Sequence, residues 1–327
     1  MKSSLLLMSA CLTACLSMSC KDGEASTTAS TTATTSATAE KKIPTFNEQE
    51  AYQYIAKQVA FGPRIPNTKA QKDCAAFLEA TLKASCDTVY RQETVITAKD
   101  GKKLDCINLI GSINPQATKR ILLLAHWDSR PWADQEDKSK PVLGADDGGS
   151  GTAVLMSLAN VMKSNPLPAD LGIDILLADV EDYGKSEWGD DSYAMGTQYW
   201  ARNPHVAGYK AIGGILLDMV GAKGARFAVE GNSYDKARSL VELVWASGQQ
   251  AGYGNYFVME GGAYITDDHV PVNEILGIPT IDIINLPRET NTGFVKHWHT
   301  TKDDMSNIDP ATLKAVGQTL LHFLYSF

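Results

Sequence analysis

Four stretches of the chain are largely apolar runs that each end in acids or lead to histidines. "RILLLAHWD" (120–128) ends at His126 and Asp128, and "IDILLADVED" (173–182) ends at Asp179, Glu181 and Asp182. "GGILLDMVG" (213–221) turns polar at Asp218, and "IPTIDIINL" (278–286) leads into a loop carrying His297 and His299. Apolar runs of this length predict strands buried on both faces. Between them the apolar spacing changes to three and four, predicting helices over 152–162, 193–201 and 234–250. The alternation predicts an α/β fold, a central and mostly parallel mixed sheet with helices on both faces. In such sheets ligands bind beyond the carboxyl ends of the strands, where these runs carry their polar residues.

Upstream, Asn47 followed by Glu50 is a capping-box pattern, and Tyr52, Ile55, Ala56 and Val59 follow at helical spacing. A second helix is predicted from Lys69 to Ala84. Strand-like stretches at Thr88–Thr97 and Leu104–Ile113 flank Asp100-Gly101, which reads as a two-residue hairpin turn setting Cys106 opposite Val95. No repeat is visible and no linker breaks the chain after residue 43, so 43–327 reads as a single catalytic α/β domain.

Composition changes the picture mainly at the N-terminus. "MKSSLLLMSACLTACLSMSC" (1–20) has a basic start, a short apolar stretch and small residues, the pattern of an export signal rather than a spanning helix. Leu12-Thr13-Ala14-Cys15 resembles the lipobox of bacterial lipoproteins, with Cys20 as the competing acylation site and plain cleavage as the alternative. Residues 21–42 are Ser/Thr/Ala-rich with no large apolar side chain, so a disordered tether is expected there. The implied setting is periplasmic or outer-membrane-associated in a Gram-negative bacterium, with membrane contact only through the lipid. The whole chain, 327 residues with a formal net charge of −8 and no long run of one sign, has nothing that attracts nucleic acid. Cys74, Cys86 and Cys106, the three cysteines of the body, read as free thiols, an odd count for a disulfide framework.

The stretch "GADDGGSG" (144–151) puts Asp146 and Asp147 at the mouth of a glycine-rich loop. A phosphate cradle would need a Lys that is absent, and a calcium loop would need acids at alternate positions. A metal ligand at a strand-to-helix junction and a plain helix cap remain. Six candidates, His126, Asp147, Glu181, Asp182, Asp218 and His299, converge on one sheet edge, which favours the metal. A catalytic zinc takes about three ligands from His, Asp and Glu and leaves one position open, beside a carboxylate that serves as general base. No Ser lies in a nucleophile-elbow pattern, and no CxxC pair suggests a structural zinc.

These spacings, with Trp298-His299-Thr300, resemble the M28-type zinc aminopeptidase superfamily. Within it the chain is similar to the glutaminyl cyclases of animal type, in the form found in Bacteroidetes. The resemblance spans about residues 47–327 and includes "FGPRIPN" (61–67) and "ITDDHVPV" (265–272). It implies one zinc per chain held by Asp147, Asp182 and His299, with Asp146 left out. It implies Glu181 as the proton-transferring base, with Asp218 and Asp267 in its carboxylate network. Trp188, Trp298, Phe294 and His126 would line the substrate pocket. Asp182 stands where animal cyclases usually carry Glu, and Ala125 stands where they carry a disulfide.

The implied reaction converts the N-terminal Gln of peptides and proteins to pyroglutamate with release of ammonia. A monomer is the favoured state. Two rivals remain. A two-zinc aminopeptidase would use His126, Asp147, Asp182, Asp218 and His299 as ligands. A peptide-binding lipoprotein on a dead hydrolase scaffold would lack a base or a ligand, and none is missing.

Overall fold

The computed structural model describes residues 43–327. The expectations for the export signal, the lipidated Cys15 or Cys20 and the tether lie outside the described residues. In chain order the elements are α1 (Glu48–Ala60), α2 (Lys69–Ser85), β1 (Thr88–Thr97), β2 (Lys103–Ile113), β3 (Lys119–His126), α3 (Gly149–Ser164), β4 (Leu171–Ala178) and α4 (Met195–Arg202). There follow β5 (Gly213–Asp218), β6 (Phe227–Val229), α5 (Gly231–Gln250), β7 (Phe257–Gly261), the single turn α6 (His269–Pro271), β8 (Thr280–Ile284) and α7 (Pro310–Leu324).

Six strands form one sheet in the order β1-β2-β4-β3-β5-β8. β4, β3, β5 and β8 run parallel, and β1 and β2 extend the sheet antiparallel. The apolar runs work because alternate residues feed two cores. Ile121, Leu123, Ile175, Leu177, Ile215, Leu217, Ile281 and Ile283 enter the larger core, packed with α1, α2, α3, α5 and α7. Leu122, Leu124, Leu176, Ala178 and Leu216 enter a smaller core with Trp200 of α4 and Val272 just past α6. The predicted mixed sheet with helices on both faces is therefore the observed one. β6 and β7 form a separate parallel pair.

Several local expectations shift. Ala98 N–H donates to Lys102 O, so the hairpin has a three-residue loop in which Gly101 adopts φ +83°. Cys106 consequently faces Thr94 rather than Val95. Gly takes that left-handed position without the steric cost a side chain would carry. Asn47 caps α1 as expected, accepting from Glu50 N–H at 3.2 Å. α3 begins at Gly149 behind Gly148, with no side-chain cap, so neither Asp146 nor Asp147 is a helix cap. The helix expected over 193–201 starts at Met195, after a run of short 3-10 turns. The three body cysteines are free; Cys74 and Cys106 are buried, Cys86 only partly so.

Candidate active site and metal centre

The carboxyl ends of the four parallel strands lie along one edge, and the chain leaves each of them into a loop that carries polar groups. β3 ends at His126 and β5 at Asp218, while β4 hands over to Asp179-Val180-Glu181-Asp182. The loop after β8 returns with Trp298 and His299. The glycines of 144–151 let the start of α3 press into this edge. A Cβ on Gly148, at φ +84°, would meet Asp128 O at 2.3 Å, and one on Gly151 would meet Leu217 O at 2.1 Å. Strain collects at the same place. Val180, Met219 and His299 adopt φ of 56°, 47° and 55°, each adjacent to or at a candidate residue. A β-branched residue in this region is an outlier that surrounding structure must enforce.

Asp147, Asp182 and His299 are buried, and one ligand atom from each falls within 4.8 Å of the other two. His299 Nε2 lies 3.5 Å from Asp182 Oδ1 and 3.8 Å from Asp147 Oδ2. Ligands about 2.1 Å from a tetrahedral zinc would be spaced about 3.4 Å apart, so the trio suits that ion. Asp182 Oδ2 is buried with no hydrogen-bond partner among the described residues, a cost that a cation would relieve. A second group, His126, Asp147 and Asp218, is equally compact and shares Asp147. His126 Nε2 is 3.1 Å from Asp147 Oδ1 and 3.3 Å from Asp218 Oδ1.

Two buried carboxylates hold the acidic pairs by their backbones. Asp128 Oδ1 and Oδ2 accept from the N–H groups of Glu181 and Asp182, both at 3.1 Å. Asp303 Oδ1 and Oδ2 accept from the N–H groups of Asp146 and Asp147, at 2.8 and 3.1 Å. Arg130, also buried, donates to Asp182 Oδ1 at 2.6 Å and to both oxygens of Asp134. Asp134 Oδ1 in turn lies 3.0 Å from His299 Nδ1. A carboxylate behind a ligating imidazole fixes its ring orientation. Asp146 points away from the trio, accepting from Gly221 N–H at 2.7 Å and meeting His297 Nε2 at 3.0 Å.

Glu181 stands beside the trio, buried. Burial pushes its carboxyl well above the usual range, and Asp267, Asp182 and Asp268 add to this against the pull of His126. Asp218 is raised to about 6, by burial first and then by Asp147, despite the hydrogen bond from His126. Asp267 is raised well above its ordinary value by burial, Asp218 and Asp268. Crowded acids of this kind hold protons in common rather than ionising together.

A family model, Peptidase family M28, matches residues 108–324. The chain belongs to peptidase family M28. Among solved structures, a Bacteroides thetaiotaomicron glutaminyl cyclase bound to N-acetylhistamine is 44% identical, with a TM-score of 0.85 over 88% of this chain and 100% of that one. A Zn-dependent exopeptidase from Parabacteroides distasonis is 49% identical, with the same TM-score and coverage. The glutaminyl-peptide cyclotransferase-like protein of Bos taurus is 25% identical over 288 residues, 81% of this chain and 72% of that protein.

The M28 edge opens into a cavity of about 370 Å³ lined by Asp147, Glu181, Asp182, Asp218, Asp267 and His299, with Phe294 and Trp298 on its wall. Trp298 stacks on His299 with centroids 3.6 Å apart and on Phe294 at 4.2 Å. Two expected pocket residues are elsewhere. Trp188 packs edge-on against Trp132, with Tyr183 beside it, and Lys185 Nζ lies 4.6 Å from its ring. Packed in this cluster, Trp188 is not among the residues that line the cavity. His126 is 2% exposed and sits beneath the cavity, tied to the carboxylates, so it is not on the substrate wall. Tyr193 and Tyr264, which do line the cavity, carry no sequence signal of it. The supports Arg130, Asp134 and Asp303 look in sequence like any surface charge.

Proposed function

We propose that this enzyme cyclises N-terminal Gln of peptides and proteins to pyroglutamate. The observation that carries the reading is the wall beside the metal trio. Trp298 stacks on His299, and Phe294 extends that wall, over a cavity of about 370 Å³. Such a surface suits holding a Gln side chain folded back on its own amine, where proximity supplies much of the acceleration. The likeness to the Bacteroides cyclase supports the same reading.

Asp147, Asp182 and His299 would hold one zinc. When bound, the ion supplies Lewis-acid polarisation of the side-chain amide carbonyl. The protein does the rest. Glu181 takes a proton from the α-amine as the amine nitrogen bonds to the amide carbon, and delivers a proton to the departing nitrogen, which leaves as ammonia. Asp218 and Asp267 hold a shared proton next to Glu181 and set its charge. Trp298 and Phe294 orient the side chain and keep water from the carbonyl.

The second compact group, His126 with Asp147 and Asp218, favours a two-zinc peptidase as the alternative. The reading takes one metal, with His126 set between Asp147 and Asp218 through its Nε2 at 3.1 and 3.3 Å. The reading also places the catalytic machinery in one domain, 43–327. From the N-terminal pattern it takes the protein to be exported and lipid-anchored at Cys15 or Cys20. Incubation of the purified protein with a Gln-initiated peptide tests the activity. Loss of one ammonia by mass supports it, and an unchanged peptide refutes it.

A further inference from the structure

The cavity at the metal trio is not the largest one. A second, of about 640 Å³, adjoins it and is bounded by the 3-10 turns after β4, by α4 and by the segment around α6. The two share six lining residues, Asp190, Tyr193, Tyr264, Ile265, Thr266 and Asp267, so they border each other along that segment. The cavity on the opposite flank, against the loop at 289–296, shares only Trp298 with the site. Of these two neighbours, the larger cavity shares the longer border with the site and is the one placed to receive the rest of a chain whose first residue occupies it.

Its walls carry an uneven charge. Asp190 and Glu274 have no cationic partner among the described residues, while Asp191 is paired outward with Lys99. Arg202 is the one basic residue on the wall, and its guanidinium is engaged by Gln198. Asp267 adds a further acid at the junction. Asp190 lines both cavities, and Glu274 lines the larger one only, so the acids run from the junction into the second cavity.

We propose that this second cavity is the binding site for residues 2 and 3 of the substrate peptide, and that Asp190 and Glu274 select basic side chains there. The proposal rests on the cyclase reading. The selection acts on peptide capture, so it appears in KM with kcat little changed. Two exposed carboxylates, each contributing a factor of about two to five, give a preference of several-fold, up to about twentyfold. Salt at about 0.5 M shortens the screening length and should reduce it.

The test uses the zinc-loaded protein with three substrates: Gln amide, Gln-Lys-Lys amide and Gln-Glu-Glu amide. Turnover of all three, with KM for the Lys peptide several-fold below that for the Glu peptide and the ratio falling toward one in salt, is the expected result. Within the single variant Glu274→Lys, the ratio of the two peptides should fall to one or invert. Asp190→Asn should lower it part-way. Because each ratio is measured on one preparation, partial loss of folded protein does not affect it. A ratio near one in the wild type, or a ratio that survives in Glu274→Lys, overturns the proposal while the cyclase reading stands. No turnover of Gln amide overturns the cyclase reading and this proposal with it.

Discussion

Replacing Asp128 by Asn tests whether the acidic pair at 181–182 is positioned by its backbone. In the wild type one carboxylate accepts two N–H bonds of 3.1 Å, from Glu181 and from Asp182, and it is fully buried. The amide has nearly the same shape but only one acceptor oxygen, so its NH2 group faces one of the two N–H donors. The loss comprises one charge-assisted bond, about 1.5–3 kcal/mol, and a buried N–H left unpaired, about 1–3 kcal/mol. Partial relaxation brings the expected destabilisation to about 2–5 kcal/mol. Asp182 would then present its free oxygen less rigidly, and zinc affinity should fall about 10–100-fold, the usual cost of removing outer support from a metal ligand. Competition with a zinc chelator measures the affinity, and urea unfolding with and without metal measures the stability. Turnover at saturating zinc should stay reduced, because Glu181 hangs from the same clamp. Zinc affinity within twofold of wild type, together with an unchanged unfolding midpoint, would refute the reasoning.

Glu181→Gln should retain zinc but lose turnover by about a hundredfold to ten-thousandfold, as the isosteric amide cannot accept the proton; near-normal turnover with metal intact would remove Glu181 from its role. Trp298→Ala should keep the metal while cyclisation falls steeply, because the folded Gln side chain loses its wall; an unchanged kcat would show that the stack does not orient it. Glu230 offers a check in the acid range. Burial raises its pKa, but His269 and the N–H groups of Ile265 and Asn232 outweigh this and bring it to about 2. A depressed carboxyl stabilises the fold fully above its unfolded value near 4.5 and loses that contribution as pH falls toward 2. Glu230→Gln should flatten that part of the stability profile; an unchanged slope between those values would contradict the assignment.

The convergence of the site residues was legible because it follows from periodicity. Four buried runs whose polar residues sit at their carboxyl ends can only gather them on one edge if the strands are parallel. What stayed hidden depended on directions that spacing does not encode. Asp128 and Asp303 act through backbone N–H groups, and an Asp that does this reads like one that faces solvent. The hairpin register moved by one because Gly101 took a left-handed conformation in a three-residue loop. Trp188 follows the Glu181-Asp182 pair closely, yet its ring is claimed by Trp132 and Tyr183. β6 is three residues long, too short to show an alternation.

The most direct test of the central claim puts a Gln-initiated and a Leu-initiated peptide in one vessel with the purified enzyme. Ammonia, free amino acids and zinc per chain are then read from the same sample. Ammonia release from the Gln peptide, no free Leu and one zinc per chain are the predicted result. Free Leu released at a rate comparable to ammonia, with two tightly bound zincs, would contradict the cyclase account and establish the aminopeptidase.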